Sequence, residues 1–406
     1  MKVPELRFTK YDEDWLTTTI GDVSRVTSGG TPSRTNSAYW GGHIPWVTTS
    51  LIDFGTILHA EEFITDEGLK NSSAKLFPKG TLLIALYGQG VTRGKVSLLG
   101  IDATTNQACA AMIFDEEKVL PSFALFQLMS KYEAIRNLAN DGGQKNLSGG
   151  LVKSLGIALP KIEEQQKIAD FLSSVDKKIS LLKEKHALLA QYKKGVMQKL
   201  FKQEIRFKDE NSKAFPDWQE TSFDKVFERV TRKNKEDNQN VLTISAQRGL
   251  INQEKYFNKS VSAKNVTGYY LLEKGEFAYN KSYSKGYPMG AIKRLNNYDK
   301  GVVSTLYICF KTHGEQYDEF WEQHFEAGNL NREINKIAQE GARNHGLLNV
   351  SVTEFFQDIK VQMPSKKEQE RIAEFLGALD AKINAVNEQI ELTQTFKKGL
   401  LQQMFV

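Results

Sequence analysis

Two stretches of the chain place apolar residues in alternating steps of four and three. The first seam runs Ile168, Leu172, Val175, Ile179, Leu182, His186, Leu189, Lys193, Val196 and Leu200. The second runs Ile372, Leu376, Leu379, Ile383, Val386, Ile390, Thr393, Lys397, Leu400 and Met404. A sustained spacing of about 3.5 residues marks a coiled-coil seam. A proline opens each stretch, Pro160 and Pro364, where a helix tolerates it best. Long amphipathic helices are unstable alone, so the two are expected to pair with each other, antiparallel. Residue numbers totalling about 572 then bring Leu172 to Leu400, Leu182 to Ile390 and Leu189 to Ile383. The polar seam residues His186, Lys193 and Lys397 read as register devices rather than ligands.

The two stretches are copies. Pro160–Phe201 aligns with Pro364–Phe405 without a gap, and 17 of 42 positions are identical, among them Glu164/Glu368, Gln165/Gln369, Asp176/Asp380 and Lys193/Lys397. Weaker echoes lie upstream: Glu5-Leu-Arg-Phe8 with Glu204-Ile-Arg-Phe207, and Asp14-Trp15 with Asp217-Trp218. Between them lie two unlike stretches of about 140 residues, each an ordinary domain size. They carry strand-like runs (Thr81–Tyr87, Ala108–Phe114, Val302–Phe310), helical runs (Ser122–Leu138, Tyr317–Gln339) and Gly-rich loops. The expected class is α+β: two α/β domains separated by two long antiparallel coiled-coil helices, a pseudo-two-fold internal repeat. Residues 1–159 and 204–363 form the domains, and residues 160–203 and 364–406 the spacer helices.

Composition changes this picture little. With 40% hydrophobic and 25% charged residues among 406, the make-up is that of a soluble globular protein. No apolar run reaches about 18 residues and no secretory leader is visible, so a cytoplasmic location is expected. Cys109 and Cys309 sit in apolar runs and read as core packing. A net charge of +5 is too mild to identify a surface for polyanions, so any phosphate contacts must come from local clusters.

No catalytic constellation emerges. Gly88–Lys95 has the wrong spacing for a phosphate-binding loop, and Val96 stands where Ser or Thr would hold magnesium. There is no Gly-x-Ser-x-Gly elbow, no adjacent pair of prolines, and no metal-ligand spacing among the six histidines. Such a chain is expected to bind or to scaffold, with neither metal nor cofactor of its own.

Several strings are similar to those of type I restriction–modification specificity subunits. They are Gly29-Gly-Thr-Pro-Ser33, Tyr39-Trp-Gly-Gly42, Ile44-Pro-Trp46, Thr105-Asn-Gln107 and Gln144-Lys-Asn-Leu147, with the repeated Leu159–Asp176 and Met363–Asp380 signatures. The resemblance implies that each variable domain reads one part of an interrupted double-stranded DNA site. It also implies that the helices dock two modification (methyltransferase) subunits. Those partners would bring S-adenosylmethionine, and restriction (ATP-dependent translocase/nuclease) subunits would bring ATP and Mg.

Arg, Lys, Asn and Gln supply the paired donors and acceptors that base edges demand, and Tyr and Trp pack in grooves. DNA contacts are therefore expected at Thr31, Ser33, Arg34, Tyr39, Trp40, Tyr87, Gln89, Thr92, Arg93, Lys95, Gln144, Lys145 and Asn146. In the second domain they are expected at Arg232, Lys233, Gln247, Arg248, Lys281, Tyr283, Lys285, Tyr287, Arg343, Asn344 and His345. Phe171, Tyr192, Phe201, Phe375, Phe396 and Phe405 lie partly off the seam and are expected either to dock a partner or to cover the neighbouring domains. Two other readings stay open. One is a scaffold that never touches DNA; the other is a specificity module serving a combined nuclease–methyltransferase.

Overall fold

The computed structural model describes residues 3–88, 91–138, 146–257, 265–338 and 348–406. The chain divides into two compact units, residues 1–184 with 387–406 and residues 185–386. The long helices run Ile162–Phe201 and Lys366–Gln403. Each unit thus combines the N-terminal part of one long helix with the C-terminal part of the other. All the seam positions named above are buried or half-buried. Leu172, Val175, Ile179, Leu400 and Met404 join the core of the first unit, and Leu200, Ile372, Leu376 and Leu379 that of the second.

The seam lysines are answered by the aspartates of the same repeat. In the first unit Lys397 Nζ lies 2.6 Å from Asp176 Oδ1, and in the second Lys193 Nζ lies 2.6 Å from Asp380 Oδ1. The paired residue numbers total 573 in both cases, which is the antiparallel register expected from the apolar spacing to within one residue.

The repeated Glu-Gln doublet anchors each domain to its helix. Glu164, 1% exposed, accepts from Arg7 Nε at 2.7 Å and Nη2 at 2.8 Å. Glu368 accepts from Arg206 Nε at 3.1 Å and Nη2 at 2.9 Å, and from the Trp218 indole at 3.0 Å. These carboxylates push both guanidiniums above their ordinary value. Gln165 and Gln369 each accept the N–H of a residue that opens an earlier helix of the domain, Leu120 and Tyr317, at 3.0 Å. The upstream echo Arg7/Arg206 is therefore the sequence-distant half of one anchoring arrangement, which Trp218 joins in the second unit and Trp15 does not in the first.

The main sheet of the first unit has the order Ser24–Ser28, Cys109–Phe114, Leu82–Ala85, Val96–Leu99, Thr56–Ile57. Leu82–Ala85 is apolar throughout and buried on both faces, as a central strand requires. In the second unit the order is Phe227–Arg229, Ile308–Thr312, Phe277–Asn280, Ala291–Arg294.

The run Val302–Phe310, expected as one strand, contributes to two sheets, through Lys300–Val303 and Ile308–Thr312. Ser304 turns the chain between them, its carbonyl accepting from Tyr307 N at 3.1 Å and its Oγ from Leu306 N at 3.3 Å. The two helical runs are also each broken in two, into Pro121–Ser130 with Tyr132–Asn137 and Asp318–Glu326 with Asn331–Ile337. Among the described residues no helix is long and apolar enough to cross a membrane.

Four of the six off-seam aromatics cover their domain rather than face outward, which corrects the docking expectation for them. Phe405 is 7% exposed and packs on Phe123 and Trp15, with ring centroids 5.5 and 6.4 Å away. Phe201 packs on Trp218 and Phe320, Phe171 on Phe8, and Phe375 on Phe207. Tyr192 and Phe396 stay open, 53% and 55% exposed.

His324, 5% exposed, is enclosed by Phe201, Phe320 and Trp321. Burial pushes its imidazole down to about 3. The unfolded chain takes up a proton below about pH 6.5 while the folded unit does not. Stability of the second unit is therefore expected to fall as pH drops through that window, by at most about 1.4 kcal/mol per pH unit. Thermal melts between pH 7.5 and 5 measure this, and His324→Gln should flatten the slope. Identical slopes in the two proteins would sink the assignment.

Candidate nucleic-acid interface

At one end of the first unit's main sheet the chain leaves two strands, at Ser28 and Ala85, and enters two others, at Val96 and Cys109. Backbone hydrogen bonds tie the loops that meet there. Gly30 N donates to Thr105 O at 2.8 Å, Leu86 N to Ala108 O at 2.8 Å, and Leu147 N to Leu86 O at 2.9 Å. The strings around Gly29, Tyr87, Thr105 and Asn146 thereby form one surface. Gly29 allows the close approach: a Cβ there would stand 2.1 Å from Thr105 Oγ1.

On this surface Thr31 Oγ1 donates to Gln107 Oε1. The Arg34 guanidinium lies over Trp40 and Trp46, its carbon 3.7 and 4.7 Å from the ring centroids, and forms a bidentate pair with Glu62 at 2.5 and 2.9 Å. The hydrogen bond from Arg34 holds the Glu62 carboxyl below its usual range, and Glu62 raises the guanidinium in turn. Ser33 is exposed and its carbonyl accepts from Trp40 Nε1 at 3.1 Å. Tyr39 contributes mainly its backbone, the carbonyl accepting from Thr65 N at 3.1 Å. Tyr87 is 42% exposed and Thr92 half-buried.

Two of the expected contacts turn inward. Arg93 Nη2 donates to Arg136 O at 2.5 Å, and Lys95 Nζ donates to Asp53 Oδ1 at 2.6 Å. Their cations serve the loop itself, which corrects the expectation that they face DNA.

In the second unit the corresponding sheet end lies where strands leave at Arg229 and Asn280 and begin at Ala291 and Ile308. Leu348 N donates to Lys281 O at 3.0 Å, the counterpart of the Leu147–Leu86 tie. Tyr283 is 59% exposed, Lys285 is exposed and Lys281 half-buried. Tyr287, in contrast, donates to Glu326 Oε2 at 2.7 Å and accepts from Lys293 Nζ at 3.0 Å. Burial, and then the Glu326 charge, pushes the Tyr287 phenol up.

Arg232 pairs with Glu276 at 2.8 Å and Glu273 at 3.5 Å, and Lys233 donates to Gly268 O at 2.8 Å over the Tyr270 ring. Arg232 and Lys233 stay exposed beside these partners, whereas Tyr287 is half-buried and turned to Glu326, which corrects the expectation for Tyr287. Gln247 and Arg248 are exposed at the turn joining Leu242–Ser245 to Gly249–Asn252. Gln89, Gln144, Lys145, Arg343, Asn344 and His345 lie outside the described residues.

Two residues at the first sheet end were not put forward by the sequence. Gln107 closes the Thr105-Asn-Gln string and accepts from Thr31 Oγ1. Lys75, exposed, reaches Thr27 Oγ1 at 2.7 Å, and nothing in its neighbourhood in sequence signals this. Among the described residues no group of three His, Cys, Asp or Glu side chains could hold a metal ion.

Comparison with known proteins bears out the resemblance drawn from the sequence. Residues 12–191 match the family model of the type I restriction modification DNA specificity domain. The chain is 30% identical over 219 residues to the type I restriction enzyme MjaIX specificity subunit of Methanocaldococcus jannaschii, covering 51% of this chain and 50% of that protein. It is 28% identical over 175 residues to the EcoR124I/EcoR124II specificity subunit of Escherichia coli, covering 42% and 43%. The chain thus spans about half the length of the curated relatives it matches. Over 100% of this chain and 99% of the other, its fold is that of the S subunit of the type I restriction–modification system from M. genitalium, with a TM-score of 0.59 and 17% identity.

Proposed function

We propose that this chain is a DNA-specificity subunit of a type I restriction–modification complex. In this reading it is non-catalytic, and each of its two units reads one half of a bipartite, interrupted site. The observation that carries the reading is the shared loop platform. Each unit gathers loops at one sheet end through the same kind of backbone tie, Leu147–Leu86 or Leu348–Lys281, yet presents different side chains on it. A repeated frame with divergent loops suits two different target sequences. Tyr192 and Phe396 occupy the same position in the two helix copies and are both more than half exposed, which supports docking of two methyltransferase subunits. Methylation, with S-adenosylmethionine, and ATP-driven cleavage then belong to partners.

Duplex competition by the chain assembled with its modification subunits, together with mapping of methylated adenines, tests this. Alanine at a base-reading residue such as Tyr87 or Tyr283 is expected to cost about 1–3 kcal/mol and to relax one position of its own half-site. Lys285→Ala, at a phosphate-type cation, should weaken all duplexes alike and lower the salt slope by about one. Unaltered affinity and methylation pattern across all three variants would place the interface elsewhere. Binding to no duplex at all would leave a scaffold.

A further inference from the structure

Both units fasten the hairpin loop at the sheet end to the helical segment that follows strand Cys109–Phe114 or Ile308–Thr312, and they do so with unrelated side chains. In the first unit the Tyr132 hydroxyl donates to Val91 O, and Arg93 Nη2 donates to Arg136 O at 2.5 Å. Tyr132 and Arg136 both belong to helix Tyr132–Asn137. Phe54 sits at φ +62 with its ring edge-on to Tyr132, centroids 5.0 Å apart, and its N–H reaches Val96 O at 2.9 Å. A left-handed phenylalanine is strained and persists only where its surroundings hold it. Lys95 spans to Asp53, next to that ring.

In the second unit the brace is a half-buried network. Tyr287 donates to Glu326, in the last turn of helix Asp318–Glu326, while Lys293, 8% exposed, donates to the Tyr287 hydroxyl and pairs with Glu326. The Tyr279 hydroxyl adds a bond to Met289 O at 2.7 Å. Gly290, at φ +79, closes this loop: a Cβ there would stand 2.3 Å from Asn280 O.

We propose that Tyr132 with Arg93, and Tyr287 with Glu326, are positioning residues for base discrimination, each pair acting on the half-site of its own unit. This rests on the DNA-reading function proposed above. Discrimination at a base edge requires side chains placed to within about 0.5 Å. A loop free to move would re-pack around a wrong base, whereas a braced one leaves a wrong base with unpaired donors and acceptors. Within each braced loop the outer side chains, Tyr87 in the first unit and Tyr283 and Lys285 in the second, are exposed. That two units reach the same fastening with different chemistry points to the fastening itself as the shared requirement.

The test uses the full chain assembled with its modification subunits. Tyr132→Phe and Tyr287→Phe each remove one hydroxyl and keep the ring. Competition between the wild-type site, duplexes with single base changes in either half-site, and a non-specific duplex gives the discrimination at each half. Tyr132→Phe is expected to lower discrimination about tenfold in the first half-site alone. The second half-site, non-specific affinity and salt slope should stay unchanged, and Tyr287→Phe should give the mirror result.

A purely structural role would lower the melting temperature and leave both discriminations as they were, which overturns the proposal, as does an equal loss at both half-sites. Should Tyr287→Phe fail to fold because Lys293 loses a partner, Tyr132→Phe, whose bond lies at the surface, decides. A wild-type complex that binds all duplexes alike overturns the DNA-reading function itself, a distinguishable result.

Discussion

Glu368→Ala is expected to bring the second unit to the edge of unfolding, at a cost of about 3–5 kcal/mol. The carboxylate is fully buried and carries three charge-assisted bonds, two from Arg206 and one from the Trp218 indole. Truncation leaves the guanidinium, whose side chain is 23% exposed, with Asp217 Oδ1 at 3.4 Å as its remaining carboxylate partner, and leaves the indole N–H without its acceptor. Against a typical domain stability of about 5–15 kcal/mol that loss is a large fraction.

Glu164→Ala should cost less in the first unit, because there only Arg7 is bound and Trp15 Nε1 has no hydrogen-bond partner among the described residues. Adding Arg206→Met to Glu368→Ala should restore part of the stability, since the guanidinium then no longer faces the vacated carboxylate site. Urea unfolding followed by tryptophan fluorescence measures each of these. A cost below about 1 kcal/mol for Glu368→Ala, the level of a surface pair, would remove the carboxylate from its anchoring role.

The anchor shows what could and could not be read in the sequence. The duplication exposed Glu164/Glu368, Arg7/Arg206 and Trp15/Trp218 as recurring positions, and the spacing of apolar residues fixed the helices and their antiparallel register. What the recurring residues do was hidden, because Arg206 and Glu368 meet across 162 residues. The same distance effect governs the interface. Arg93 and Lys95 look like DNA donors in a Gly-rich loop, yet their partners Arg136 and Asp53 lie 43 and 42 residues away. Residue type placed the platform at loops around Tyr87 and Tyr283; only tertiary contacts separate side chains that face outward from those that hold the loop. Phe171, Phe201, Phe375 and Phe405 follow the same logic, since off-seam aromatics on a helix become core once a domain packs over them. The Val302–Phe310 run misled for a local reason: one serine turn inside an apolar stretch sends its two ends into different sheets.

A chain ending near residue 203 is expected to assemble as a homodimer and to direct methylation of an interrupted palindrome. In the first unit the C-terminal part of the second helix supplies Lys397 to Asp176, Leu400 and Met404 to the core, and Phe405 to Trp15 and Phe123. The matching residues of the first helix are Lys193, Val196, Leu200 and Phe201. A second copy of the half-chain can therefore fill the same groove with a lysine for a lysine and apolar groups for apolar groups. The backbone fits too: Gln403 O accepts from Leu6 N at 2.9 Å, and in the second unit the equivalent Lys199 O accepts from Ile205 N at 3.4 Å.

Val196 in place of Leu400 removes about one buried methylene, a loss of roughly 1 kcal/mol per interface. Because each copy lends its helix to the other, the dimer has a two-fold axis, and that symmetry must appear in the DNA it reads. Both arms should equal the first half-site of the full-length protein. Lys193→Glu should set two acids against each other at each seam and leave the half-chain monomeric, while Lys193→Asp combined with Asp176→Lys should restore the dimer. Sedimentation at micromolar concentration and methylated-adenine mapping check both halves of this expectation. A half-chain that stays monomeric, or one that methylates a non-palindromic site, would show that the two helix copies are not interchangeable.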